Sequence, residues 1–177
     1  YEILRCLVGS EMCIRDSMPH SMRKDGTTSK GSIYLWTAGF FPGSLWYISD
    51  LLGDKALQDS ALVYTQMMEP AKSFTDNHDI GFMMYCSYGN ANRFAPKVGY
   101  EEILTESARS LCTRFRPKAG VIQSWNGFRS WHSDKIYDFP VIIDNMMNLE
   151  LLFHASKVTG DDSFREIAVS HLSLIHI

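Results

Sequence analysis

The sequence predicts an all-α fold built from stacked helical hairpins. Three observations carry that prediction. Apolar residues recur at helical spacing in most segments between loops. No convincing apolar–polar alternation of useful length interrupts them. Successive helical stretches alternate between almost wholly apolar and charged on one face. A stretch that is apolar all round is buried on every side, and a one-sided stretch faces solvent. Inner and outer rings of an α/α toroid explain that alternation better than an open solenoid does.

The elements follow in order. Phe40 to Leu52 places Trp46, Ile48 and Leu51 on recurring faces, and Gly53 stops it. Asp54 opens a second helix in which Leu57, Ala61, Tyr64 and Met68 recur until Pro70. Asn77 caps a third, from His78 to Phe94, with Ile80, Met83, Met84, Ser87, Tyr88 and Ala91 as its buried stripe. Tyr100 to Phe115 forms a fourth, ending before Pro117. Asp144 to Val158 forms a fifth, closed by Gly160, and Asp161 starts a sixth. Val121 to Trp125 is the best candidate for a short extended piece.

A faint repeat supports the hairpins. Leu57-Gln58-Asp59-Ser60-Ala61, Tyr100-Glu101-Glu102-Ile103-Leu104 and Phe164-Arg165-Glu166-Ile167-Ala168 share one pattern. A large apolar residue is followed by an acid two positions later and a small or aliphatic residue four later. Each opens the charged partner of a helix pair.

The ends read differently. Residues 1–17 resemble a translated sequencing adapter, and so do residues 172–177. Both are set aside from fold reasoning. Residues 18–171 then make one domain. The net charge of −3 argues against nucleic acid as a main partner. No uninterrupted apolar stretch is long enough to span a bilayer. With the natural start absent on this reading, bacterial cytoplasm and periplasm both stay open, as does the oligomeric state. Cys86 and Cys112 fall within helical patterns without metal-ligand spacing and read as small core residues.

Chemistry concentrates where loops enter the apolar helices. Asp79 and Asp144 each follow a loop and begin an apolar run. An acid there is ordinarily a helix cap. Two such acids among aromatics and amides fit a carboxylate pair that handles protons on a sugar. Trp36, Phe40, Phe41, Trp125 and Trp131 lie in the same class of loop. If inner-helix starts gather at one mouth, aromatic walls meet the C–H face of a sugar and polar groups meet its hydroxyls. Arg114, Arg116, Lys118 and Arg129 read as a solvated face. His132, His154 and His171 show no metal-ligand pattern. Met83, Met84, Met146 and Met147 read as core packing.

Four ordered blocks carry a family resemblance: Trp36-Thr37 and Gly39-Phe40 with Pro42 to Tyr47; His78 to Ala91; Ile122 to Trp125; and Phe139 to Leu152. Together they resemble the unsaturated glucuronyl hydrolases, glycoside hydrolase family 88. The resemblance implies a six-hairpin (α/α)6 toroid of about twelve helices, of which this chain holds about half. It implies release of 4,5-unsaturated glucuronic acid from lyase-generated, glycosaminoglycan-type oligosaccharides by hydration of the ring double bond. Asp144 matches the general acid/base and Asp79 the second essential acid. Trp36 matches a stacking residue and His78 a subsite neighbour, with Gln123 and Trp125 as further substrate-binding candidates. Neither a metal nor an organic cofactor is implied. The family usually carries an acid where Leu35 stands here, which bears on the subsite. Two alternatives remain: a related toroid hydrolase for unsaturated galacturonyl ends, and a non-catalytic helical scaffold that binds proteins or glycans.

Overall fold

A computed structural model of the chain describes residues 18–175. The adapter-like reading of residues 1–17, and of the last two residues of 172–177, lies outside the described residues. Among the described residues, seven α-helical segments form three antiparallel pairs. Helix α1 (Phe40–Leu52) pairs with α2 (Lys55–Met67). Helix α3 (Ile80–Met84) runs through a π turn (Tyr85–Gly89) into α4 (Asn90–Phe94), and α5 (Tyr100–Cys112) packs on it. Helix α6 (Asn145–Thr159) pairs with α7 (Asp162–Ile175).

The first and third pairs close by the same chemistry. Gly53 (φ 62°) and Gly160 (φ 74°) end α1 and α6 in the left-handed conformation that glycine adopts without strain. The following aspartates then cap the next helix. Asp54 accepts hydrogen bonds from the backbone N–H groups of Ala56 and Leu57, and Asp161 from that of Ser163. Trp46 donates its indole N–H to the Thr65 hydroxyl at 2.9 Å, locking α1 to α2 inside the core.

The sequence repeat has a structural meaning. Leu57, Tyr100 and Phe164 are buried, and so are Ala61, Leu104 and Ala168 four residues on. Asp59, Glu102 and Glu166 face solvent. The repeat marks the inward face of the outer helices α2, α5 and α7. Helices α1, α3 with α4, and α6 form the inner row, with α3 touching α6 and α1 touching the π turn and α4.

Several expectations need correction. The apolar helices are not buried all round: Leu51 on α1 is 83% exposed and Met147 on α6 is 64% exposed. Among the described residues, only the segment from α3 through the π turn to α4 has an inner neighbour on both sides, so α1 and α6 each keep one uncovered flank. Met147 is therefore not core, although Met83 and Met84 are fully buried. The third helix is not a continuous α-helix. Ser87 bonds back to the Met83 carbonyl and Asn90 to that of Cys86, while the Gly43 backbone presses close to Cys86; the widened turn accommodates this. The fourth helix ends at Cys112, because Phe115–Arg116 turns into strand β3.

Short hairpins also form: β1 (Met18–Met22) with β2 (Thr28–Gly31), β3 with β4 (Val121–Ile122), and β5 (Phe128–Arg129) with β6 (Ile136–Tyr137). The first is mostly polar, so hydrophobic alternation cannot reveal it. Its turn is built by Gly26 (φ 82°) and by Asp25, which accepts from the Thr27 N–H and hydroxyl. Among the described residues, no helix is long and apolar enough to cross a membrane.

Candidate active site

Asp79 and Asp144 occupy the residue just before α3 and α6, where an aspartate normally caps. Neither does. Neither carboxylate makes a capping hydrogen bond to its helix. Both turn instead toward His78, a fully buried imidazole. The His78 Nε2 lies 3.1 Å from Asp79 Oδ1 and 3.3 Å from Asp144 Oδ1. These contacts are close but poorly aligned as hydrogen bonds, so the ring is a shared neighbour of both acids.

Loop bonds hold this arrangement. The Asn77 side chain accepts from the Asp79 N–H at 2.9 Å, which sets the entry to α3. The His78 N–H donates to the Ser124 carbonyl, and the Ser124 N–H to the Pro140 carbonyl. The Ser124 hydroxyl accepts from the Ile142 N–H at 3.0 Å. Buried Ser124 thus joins the loop before Asp79 to the loop before Asp144. Asn145 donates to the Ile122 carbonyl and anchors the first turn of α6.

Arg114 corrects another expectation. It is buried, not a solvated cation. It donates to the Gln123 and Thr75 carbonyls and to Asn126 Oδ1, at 2.8, 2.5 and 3.2 Å. Its fork spans the two loops that deliver His78 and Trp125. Its position just beyond a helix end, within an Arg-x-Arg-Pro run, carries no signal that separates it from Arg116. Gln123 spends its amide donor on the Trp125 and Asp138 carbonyls.

The aromatic residues divide into two walls. Trp36, 52% exposed, stands edge-on to Phe40 and Phe82 with centroids 5.8 and 6.1 Å away. Trp125 tilts over His78 at 5.7 Å and stacks on Phe128. Leu35 sits beside Trp36 on the exposed rim. Below Phe82, a groove of about 320 Å³ runs between Phe40, Tyr85, Met146 and Glu150.

Burial pushes the Asp144 carboxyl above the ordinary aspartate range; His78 opposes this, and Asp79 adds to it. Backbone N–H groups at the helix start pull weakly the other way. The side chain is 42% exposed, yet its Oδ1 is buried without an aligned hydrogen-bond partner. One face of the carboxyl is therefore dry and the other open.

The His78, Asp79 and Asp144 donor atoms fall within 4.8 Å of one another, a spacing that a metal ion could bridge. A metal-bound imidazole usually anchors its other nitrogen on a carbonyl or carboxylate. His78 Nδ1 has no such partner among the described residues. Cys86, which lines the groove below Phe82, and Cys112 are half-buried free thiols, each pushed up to about 11 chiefly by burial.

No family model matches the chain. Individual relatives do. The chain is 44% identical over 137 residues to the unsaturated glucuronyl hydrolase of Formosa agariphila, covering 77% of this chain and 33% of that protein. It is 29% identical over 162 residues to the unsaturated chondroitin disaccharide hydrolase of Streptococcus pyogenes serotype M1, covering 89% of this chain and 39% of that one. A solved unsaturated glucuronyl hydrolase specific for heparin superposes with a TM-score of 0.82 at 39% identity, over 96% of this chain and 43% of its own.

The chain is similar to one part of the unsaturated glucuronyl hydrolases. Its helix pairs are part of that family's (α/α)6 toroid. The chain spans about a third of the first curated relative and 43% of the solved structure. The helices that follow Asp79 and Asp144 touch, and the two acids meet at His78.

Proposed function

We propose that this chain carries the acid pair of a glycoside hydrolase that removes 4,5-unsaturated glucuronic acid from the non-reducing end of lyase-generated, glycosaminoglycan-type oligosaccharides. The observation that carries the reading is the convergence of two uncapping aspartates on one buried histidine. A structural acid at a helix start would spend its charge on the helix. These acids are kept available.

The chemistry follows from their difference. Asp144, its pKa raised chiefly by burial and one face left open, is placed to act as the general acid. It delivers a proton to C4 of the unsaturated ring. Returned to its anionic form, it takes a proton from water as the oxygen adds at C5. The C5 hemiketal opens to a ketone, and the resulting C1 hemiacetal releases the remaining saccharide as an alcohol. Asp79, on the buried side, sustains the raised pKa of its partner and accepts from sugar hydroxyls. Trp36 and Trp125 offer faces for the ring, and His78 and Gln123 line the subsite. No step requires a metal or an organic cofactor.

The test uses the ring-complete parent protein and follows loss of the ultraviolet absorbance of the conjugated uronate. Unsaturated chondroitin and heparin disaccharides are compared with unsaturated galacturonides. Decay on the glucuronides that drops by about 10²-fold or more in Asp144→Asn is expected for a lost general acid. Unchanged turnover in that variant would remove Asp144 from the mechanism. Decay only on galacturonides would assign the related pectin-type reaction. The chain alone, with only part of the ring, turns over poorly on this reading.

A further inference from the structure

We propose that Asn148 is a positioning residue that caps the Asp79 helix from outside, and so keeps the Asp79 carboxylate free for the site. The inference rests on the reading of Asp79 and Asp144 as the working acids, and it adds a cause for the availability of Asp79.

The geometry is specific. An N-cap side chain takes the N–H two or three residues into its helix. For Asp79 those are Gly81 and Phe82. The Phe82 N–H is already taken: it donates to Asn148 Oδ1 at 2.8 Å in a fully buried bond. Asn148 lies on α6, one turn after Asp144, and so shares the face that Asp144 presents. One amide therefore occupies one of the two donors that Asp79 could otherwise capture, and ties the two acid-bearing helices together at the level of the site.

Three further observations support this role. The orientation of the amide is settled, because only its oxygen can accept from a backbone N–H. The close approach is also prepared from the other side, since Gly81 leaves room for Asn148 against the α3 backbone. Asn148 Nδ2 is buried without a partner. An ordinary core position would favour an apolar residue over an amide that leaves a donor unsatisfied. The retained oxygen is what this site uses.

Removing the acceptor makes a distinctive prediction. With the Phe82 N–H released, the Asp79 carboxylate turns inward, caps α3 and leaves His78. The experiment is an NMR titration of this chain that follows the Asp79 and Asp144 carboxyl carbons and the Phe82 amide. In the parent chain the Phe82 amide shift ignores the ionisation of Asp79. In Asn148→Leu it moves downfield and follows that ionisation, and the Asp144 midpoint falls as its like-charged neighbour withdraws. Adding Asp79→Asn to Asn148→Leu abolishes the new Phe82 step. A folded Asn148→Leu whose Phe82 amide stays indifferent to Asp79 overturns the proposal, because a purely structural asparagine predicts that result.

Should Asn148→Leu fail to fold, Asn148→Asp keeps an acceptor in place. Its Phe82 amide then follows the ionisation of the introduced carboxylate. A Phe82 amide that ignores that carboxylate overturns the proposal equally. None of these readouts depends on turnover. A failed hydration assay would count against the acid assignment and leave the capping result standing.

Discussion

Gly81 and Asn148 touch so closely that no side chain fits between them. A Cβ built on Gly81 would lie 2.5 Å from Asn148 Oδ1 and 2.6 Å from its Cα. Backbone cannot retreat as a flexible side-chain tip can. Gly81→Ala is therefore expected to push α3 and α6 apart and cost about 2–3 kcal/mol, the upper range for overpacking. Chemical denaturation measures the loss. Because the two helices carry Asp79 and Asp144, turnover of the ring-complete protein should fall further than stability does.

Arg114 offers a second test, at a distance from the acids. Arg114→Met keeps the apolar stem and deletes the fork. It strands the Thr75 and Gln123 carbonyls and Asn126 Oδ1. Charge-assisted bonds of this kind contribute about 1.5–3 kcal/mol each, with strong non-additivity. A loss of about 3 kcal/mol is expected by denaturant unfolding. Arg114→Lys should rescue little, since a point ammonium cannot span three acceptors. Hydrogen exchange should rise at the His78 and Gln123 amides, the two loops the fork joins.

Stability should depend on acid through His171. Its Nδ1 accepts from the Ile122 N–H at 3.0 Å, so the neutral ring carries its proton on Nε2. Burial first, and the charge of His78 second, lower its pKa from 6.5 to about 4. The unfolded chain therefore binds a proton that the folded chain refuses. Stability present above pH 6.5 is lost as pH falls toward about 4, a loss of about 3 kcal/mol at most. His171→Gln keeps an acceptor for Ile122 and does not titrate, so thermal unfolding from pH 7 to 4.5 should lose this acid limb. Asp144 runs the other way. Its raised folded pKa favours the protonated form, so its destabilising effect appears as pH rises past the ordinary aspartate range. Asp144→Asn should therefore raise the Tm at neutral pH while it abolishes turnover.

The hairpin plan was legible because helical periodicity and Gly-Asp junctions are local signals. The positions of Leu57, Tyr100 and Phe164 mark the same buried face three times, and a pattern read along the chain can find that. The acids were legible as candidates for a different reason: residue type and place at an inner-helix start. Arg114, Ser124, Asn145 and Asn148 were not. Each is a polar residue whose partner lies nine or more residues away in the bonds that matter here. Periodicity sees only that such residues are polar, not what they reach. Met147 and Leu51 failed in the opposite sense, since an apolar residue on an inner helix looks buried until the neighbours of that helix are counted.

The sequence by itself determined the helices, their pairing, the alternation of inner and outer elements, and the two aspartates at the start of inner helices. These depend on spacing, capping and turn chemistry within a few residues. Only the tertiary structure decided that neither aspartate caps and that both face His78. It also showed Asn148 holding the Phe82 N–H that Asp79 would take. On our proposal the Asp79 carboxylate stays free because another group already occupies the Phe82 N–H. That group comes from a helix 66 residues further along the chain.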